Sequence, residues 1–277
     1  MPAPDAITCD RLAKLIGIPR CPTLLDVRAP AARSADGRLV PGARMLDDGV
    51  LTAEGLAALA ATLTGPVVTI CAAGHRRSQG AAALLRSHGV PAEYLDGGQA
   101  AWVSAGLPVI DAEKIKARDW LGRSAWVTRS RPKIDRIACP WLIRRFIDPR
   151  AIFLFVAPSE VVGTGQLLGA IPYDIEDVFW SHRGERCTFD TMIAEFGLSI
   201  PALDRLATIV RGADTARLDL APEAPGLLAA SLGLSRMFAD DLEQLEAGMV
   251  LYDAFYRWAR DATDETHNWP ASKRPAR

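Results

Sequence analysis

A chain of 277 residues, 49% hydrophobic and 23% charged, is too long for one ordinary core and too apolar for a disordered polymer, so two globular domains are expected. A formal net charge of −1, with Lys and Arg scattered, gives no basic field for gathering nucleic acid or an anionic membrane surface. Residues 1–5 lack the basic flank and apolar run of a secretion signal, and no apolar stretch reaches the ~20 residues of a membrane helix, which predicts a cytoplasmic protein.

Between Thr8 and Pro108 short apolar runs alternate with helical patterns, the mark of an α/β domain whose parallel sheet is flanked by helices. Strands are expected at 23–27, 67–70 and 92–95. Helices are expected at 53–63 and 78–88, with Gly89 placed as a C-terminal cap. The first domain is thus 1–110. Residues 111–123, charged and following the Gly106-Leu107-Pro108 stop, read as a linker. The second domain, 124–265, opens with an apolar strand at 152–156 and then turns mostly helical, giving an α-rich α+β unit. It ends with Leu242, Leu245, Met249, Tyr252 and Tyr256 on one helical face, where the aromatic residues are expected in the core. The segment 266–277, polar with Pro270 and Pro275, is expected to fray.

The five cysteines, Cys9, Cys21, Cys71, Cys139 and Cys187, are odd in number and widely spaced, which suits free thiols in a reducing compartment. Cys71 differs from the rest. The run Pro66-Val67-Val68-Thr69-Ile70 delivers it to the carboxyl end of a strand, and Ala72-Ala73-Gly74-His75-Arg76-Arg77 leads from it into a helix. Ligands of open α/β sheets bind at that edge. Small residues let successive N–H groups converge, and the helix start and two arginines add positive charge, so the loop can bind an oxyanion and stabilise a thiolate. A small buried hydrophobe at a strand end is the plainer reading of a cysteine, but it does not account for the glycine, the arginines and the helix start together. Cys9 and Cys21 have no such surroundings and read as bystanders.

Leu24-Leu25-Asp26-Val27-Arg28, Pro41-Gly42-Ala43, and Leu95-Asp96-Gly97-Gly98-Gln99-Ala100-Ala101-Trp102 through Gly106-Leu107-Pro108 resemble, in order and spacing, the motifs of the rhodanese family. The resemblance implies sulfur transfer, in which Cys71 takes the outer sulfur of a small anionic donor such as thiosulfate, holds it as a persulfide against the loop N–H groups and passes it to a thiol acceptor. No cofactor is required for that chemistry. Asp26 and Arg28 would be supporting residues, either as an ion pair fixing the fold or with Arg28 kept near the loop. His75 would either face solvent or help hold a dianionic donor.

The loop admits two frames. Cys71 to Arg76 fits the rhodanese spacing of Cys, four residues, Arg, whereas Cys71 to Arg77 and Ser78 fits the Cys, five residues, Arg, Ser pattern of related phosphatases and arsenate reductases. The longer frame would seat a whole tetrahedral oxyanion over the sulfur and would suit a sensor, reductase or phosphatase-like protein for chromate, arsenate or phosphate. Ile70, at the position where those enzymes usually carry histidine, favours the shorter one.

In the second domain, Ala125-Trp126-Val127-Thr128-Arg129, Pro132 through Ile147, His182 through Asp190, Arg211-Gly212-Ala213-Asp214 and Tyr252 through Tyr256 resemble the C-terminal domain of chromate-resistance protein B. The resemblance implies a chromate or oxidative-stress resistance setting. From the residues alone, Asp135 and Cys139 share a helix face, His182 and Cys187 bracket a polar turn, and Asp214 ends an apolar run. Together Asp135, Cys139, His182 and Asp214 offer nitrogen, sulfur and oxygen ligands for a divalent metal, against the plainer reading of a packed core thiol and a helix-start charge pair. Arg144 and Arg145 read as a solvated helix face, or as an anion contact.

Overall fold

The computed structural model describes residues 3–115, 118–119 and 121–265, so the segment expected to fray, 266–277, lies outside the described residues. In the first domain β1 (Ala6–Ile7), α1 (Cys9–Ala13), β2 (Thr23–Asp26), α2 (Pro30–Ala35), β3 (Arg38–Leu39), β4 (Arg44–Met45), α3 (Ala53–Ala60), β5 (Val67–Ile70), α4 (Arg76–Ser87), β6 (Ala92–Leu95), α5 (Gly98–Ser104) and β7 (Ile110–Asp111) follow one another. Five parallel strands form one sheet in the order β1-β6-β5-β2-β4, with β5 in register against β2 from Thr23↔Val67 to Asp26↔Ile70.

Side chains alternate across that sheet as a period of two requires. Leu25, Val27, Val67 and Cys71 pack with Leu56 and Leu59 of α3 and Ala82 and Leu85 of α4. Leu24, Val68 and Ile70 face the other way, toward Leu12 of α1 and Trp102 of α5. The helix expected at 78–88 starts two residues earlier, at Arg76, because His75 already serves as its extended N-cap. It ends before Gly89, whose φ of +81° allows the chain to turn back. The helix expected at 53–63 stops at Ala60, after which Thr62 and Leu63 bond back to Leu59 and Ala60 in a closing turn. Ile110, the last residue expected in the first domain, and Asp111, the first of the expected linker, both pair antiparallel with β3, so the start of the linker stays bound to the first domain.

The second domain comprises β8 (Ala125–Arg129), α6 (Asp135–Leu142), β9 (Ile152–Val156), α7 (Val161–Leu168), β10 (Ile171–Pro172), α8 (Thr188–Phe196), α9 (Pro201–Asp214), α10 (Ala224–Met237) and α11 (Asp241–Asp261). Its three-stranded parallel sheet has the order β10-β8-β9. The strand at 152–156 is therefore an edge, and the central strand is β8. Pro140 lies inside α6 and has no N–H for the carbonyl of Arg136, which accepts instead from the Tyr173 hydroxyl at 3.2 Å. The helix then widens into a π turn at Ile143–Ile147. On α11, Leu245, Met249, Tyr252 and Tyr256 are buried, but Leu242, in the first helical turn, is 51% exposed and lies off the apolar face.

One apolar core crosses from domain to domain. Ile7, Leu12, Leu24, Ile70 and Trp102 belong to the same buried cluster as Trp126, Trp141, Phe146, Leu206 and Tyr256. Gly17 lies at this junction: a Cβ there would lie 2.4 Å from Cζ of Phe146 and 2.9 Å from Cε1 of Tyr256. Gly42 N–H donates to the Phe146 carbonyl at 2.6 Å, and Lys114 pairs with Glu195 at 3.0 Å. Among the described residues no helix is long and apolar enough to cross a membrane.

Candidate functional site

Cys71 leaves the carboxyl end of β5 and is 5% exposed, at the base of a loop whose Ala72, Ala73, His75 and Arg76 are all exposed. The loop is mounted from behind by α5. Gln99 N–H donates to the Cys71 carbonyl at 2.9 Å and Ala100 N–H to the Ala72 carbonyl at 2.9 Å, while the Gln79 amide holds the Gly74 carbonyl at 2.8 Å. With these carbonyls engaged, Sγ meets donors: the His75 N–H at 3.2 Å and the Ser78 hydroxyl at 3.1 Å. Burial raises the Cys71 pKa, but hydrogen bonds from the Ser78 hydroxyl and from the backbone of Ser78, Ala73 and His75 outweigh it, and the net shift is downward.

The two arginines have different roles. Arg77 Nε donates to the Val27 carbonyl at 2.7 Å and its guanidinium pairs with Asp48, so it ties α4 to the end of β2. Arg76, exposed at the start of α4, makes no side-chain hydrogen bond or ion pair among the described residues. Asp26 and Arg28 form an ion pair at 2.7 Å with both side chains 2% exposed. The remaining Arg28 donors reach the carbonyls of Asp36 and Arg38. Removing one partner of such a pair leaves a buried charge and costs about 3–5 kcal/mol. The other thiols are not activated: burial pushes Cys21 up to about 12 and raises Cys9, where Asp10 and Asp96 add to the effect. All five cysteines are free.

A second constellation lies at the carboxyl edge of the second sheet. His182 Nε2 is 3.2 Å from Asp214, 3.4 Å from Asp174 and 3.6 Å from Asp135. Asp135 begins α6 and is wholly buried; its Oδ2 accepts the N–H groups of Thr188 and Phe189 at the start of α8, and its Oδ1 has no partner. Asp174 follows β10, accepts from the Thr188 hydroxyl at 2.8 Å and lies 3.4 Å from Arg136 Nε. Desolvation, then the charges of Asp214 and Asp174, push the Asp135 pKa well up. Contacts with Asp174 and Asp214 push His182 up to about 10. Ile134 (φ +38°) and Asp174 (φ +53°) are held in the left-handed region, which costs on the order of 1–3 kcal/mol each and tends to mark functional sites. A cleft of about 640 Å³ opens here, lined by Arg129, Pro158, Asp174, Ser181 and His182 among others.

Residues 8–105 match the family described as Rhodanese-like domain, and residues 126–259 match ChrB, C-terminal domain. The chain joins a rhodanese-like domain to a ChrB C-terminal domain. Protein ChrB of Cupriavidus metallidurans is 35% identical over 164 residues, covering 56% of this chain and 47% of that protein, so the chain spans about half the length of this curated relative. Among solved structures, thiosulfate sulfurtransferase from Pseudomonas aeruginosa is 30% identical over 40% of this chain and 20% of that one, with a TM-score of 0.33. A rhodanese-related protein from Thermoplasma volcanium is 23% identical over 38% of this chain and 96% of that one, with a TM-score of 0.31.

Within the rhodanese-like domain the structure gathers Cys71, Ala72, Ala73, Gly74, His75 and Arg76 into one loop, while Arg77 is turned to Val27 and Asp48, and Asp26 and Arg28 pair with each other, the Arg28 guanidinium also holding the Asp36 and Arg38 carbonyls. Within the ChrB-type domain it gathers Asp135, His182 and Asp214, whose ligand atoms lie within 4.8 Å of one another. Cys139 is not in that set; its thiol is wholly buried and desolvation, then the charges of Asp135 and Asp174, hold it protonated. Sequence reasoning passed over Asp174, although an aspartate just beyond a parallel strand is itself a signal. It noted Ser78 only as part of a loop pattern, not as a donor to the sulfur. Arg144 and Arg145 are not simply solvated: Arg145 makes a two-point pair with Asp253 at 2.7 and 2.8 Å, and Arg144 pairs with Glu246.

Proposed function

We propose that the protein is a rhodanese-type sulfurtransferase, moving a sulfane sulfur through a persulfide on Cys71 in a chromate or oxidative-stress resistance setting. The observation that carries this reading is the Cys71 sulfur held between the His75 N–H and the Ser78 hydroxyl at the floor of an exposed loop, a setting that favours thiolate. The thiolate attacks the outer sulfur of a donor such as thiosulfate; a Cys71 S–S bond forms, the donor S–S bond breaks, and sulfite leaves with the electron pair. An acceptor thiolate or cyanide then attacks the outer sulfur of the persulfide, and Cys71 departs as thiolate. Neither step needs a cofactor.

Arg76 supplies positive charge at the loop for an anionic donor. The longer frame, with Arg77 over a whole oxyanion, is disfavoured because Arg77 is engaged by Val27 and Asp48. The ChrB-type domain supports the resistance setting, and five free thiols support a reducing cytoplasm.

Incubation with thiosulfate, followed by intact mass measurement, is expected to add one sulfur atom to the chain but not to Cys71→Ser. Transfer from thiosulfate to cyanide is expected to vanish in the same variant with its circular dichroism unchanged. Aryl phosphate hydrolysis exceeding sulfur transfer, or oxyanion binding with no sulfur adduct, would replace this reading with a phosphatase-like enzyme or an oxyanion sensor.

A further inference from the structure

We infer that His182, Asp214, Asp174 and Asp135 form a binding site for one divalent first-row transition-metal ion at the carboxyl edge of the second parallel sheet. The inference stands apart from the sulfur chemistry of Cys71 and rests on the second domain alone.

Distances come first. The three carboxylates approach His182 Nε2 at 3.2, 3.4 and 3.6 Å, and the ligand atoms of Asp135, His182 and Asp214 all lie within 4.8 Å of one another. A metal with bonds of about 2.0–2.2 Å to nitrogen and oxygen sets neighbouring ligand atoms roughly 3–3.6 Å apart, which the three distances to Nε2 match, while the set as a whole, within 4.8 Å, would draw in slightly around an ion. Hydrogen bonding alone does not account for the arrangement, because a single Nε2–H can serve one of three carboxylates. A cation among them serves all.

Charge gives the second argument. Asp174 is approached by Arg136 at 3.4 Å and Arg129 at 3.7 Å, but among the described residues Asp135 and Asp214 have only His182 as an ion-pair partner. Asp135 is wholly buried, contributes Oδ2 to the cluster and leaves Oδ1 without a hydrogen-bond partner. A buried carboxylate oxygen in that condition is costly and calls for an unplaced ion or water. Two backbone N–H groups from α8 orient the same carboxylate, as the outer contacts of a metal ligand do.

Topology gives the third. Arg129 ends β8, Pro158 lies just past β9 and Asp174 just past β10, and all three line the cleft at the edge where open α/β sheets bind ligands. His182, 42% exposed, stands at its mouth and gives an ion a way in. The donor set is one imidazole nitrogen and carboxylate oxygens with no sulfur, which suits Zn²⁺, Mn²⁺, Fe²⁺ or Co²⁺ rather than a soft monovalent ion.

The test uses the full chain carrying Cys71→Ser, so that the reactive thiol takes no metal, after treatment with a chelator. Titration with Co²⁺ is expected to give one equivalent bound with visible ligand-field bands, and Zn²⁺ is expected to displace it and raise Tm. His182→Ala and Asp214→Asn, both at partly exposed positions, are each expected to weaken Zn²⁺ binding by on the order of 10–100-fold or more while keeping the far-ultraviolet circular dichroism. His182→Ala is also expected to lose the Zn²⁺-dependent rise in Tm. Binding well below one equivalent, or equal Zn²⁺ affinity in the parent and in both folded variants, would overturn the site.

Discussion

Ser78 lies in the first two turns of α4, fully buried, with Oγ 3.1 Å from the Cys71 sulfur. Its carbonyl accepts from the Thr69 hydroxyl at 2.8 Å, so the strand that delivers the thiol also fixes the residue that polarises it. A thiolate is an acceptor only, and a hydrogen bond to a charged acceptor is worth about 1.5–3 kcal/mol. The sign follows from the direction of the shift. A Cys71 pKa below the ordinary thiol value keeps thiolate present at lower pH, and reactivity is lost as pH falls through the folded-state pKa. Alkylation by iodoacetamide is therefore expected to have its pH midpoint below that of a free cysteine. In Ser78→Ala the midpoint should move upward and the rate at neutral pH should fall several-fold, with little change where the thiol is fully ionised. An unchanged midpoint would leave the backbone N–H groups as the whole cause.

At the level of elements, the segment closing the rhodanese-like domain acts on the Cys71 loop, whose carbonyls it holds through the N–H groups of Gln99 and Ala100. Gly98 has φ +60°, and a Cβ there would lie 2.3 Å from the Cys71 carbonyl oxygen, 2.5 Å from Gly74 N and 2.9 Å from Ala73 N. Only a glycine lets α5 start close enough for Gln99 and Ala100 to hold the loop carbonyls. Gly98→Ala is expected to lose most sulfur transfer and at least ~1 kcal/mol of stability from the backbone conformation alone, read together by the cyanide assay and thermal melting; near-normal activity would mean that the loop holds its shape unaided. This contact was legible as a motif but not as a mechanism, because the partner backbone lies more than twenty residues away. The strands at 67–70 and 92–95 were legible because apolar runs bounded by turn residues carry their own signal. β8 was not read as a strand, since Trp126, Val127 and Thr128 are all buried and show no alternation. The His182 cluster was legible as ligand types, but Asp174 is brought to it only by the pairing of β10 with β8.

For the whole molecule, the expected linker at 111–123 suggests two units that fold separately, while the packing ties them into one. The face of the first sheet carrying Leu24, Val68 and Ile70 is continuous with the core around Trp141, Phe146 and Tyr256, so each domain completes burial of the other. The rhodanese-like turn Pro41-Gly42-Ala43 also donates its Gly42 N–H to Phe146, which uses a family motif for docking. Interfaces of this kind couple unfolding, because exposing one side removes burial from its partner at roughly 25 cal/mol per Å². A single calorimetric transition is expected for the full chain, with calorimetric and van't Hoff enthalpies in agreement. Gly17→Val places a side chain where Phe146 and Tyr256 already lie, at φ +81°, and overpacking of this kind costs about 1–3 kcal/mol. Because the clash is at the junction, the one transition should move down as a whole. A split into two transitions in the parent, or a variant in which one transition moves and another stays, would show that the shared core does not couple the domains.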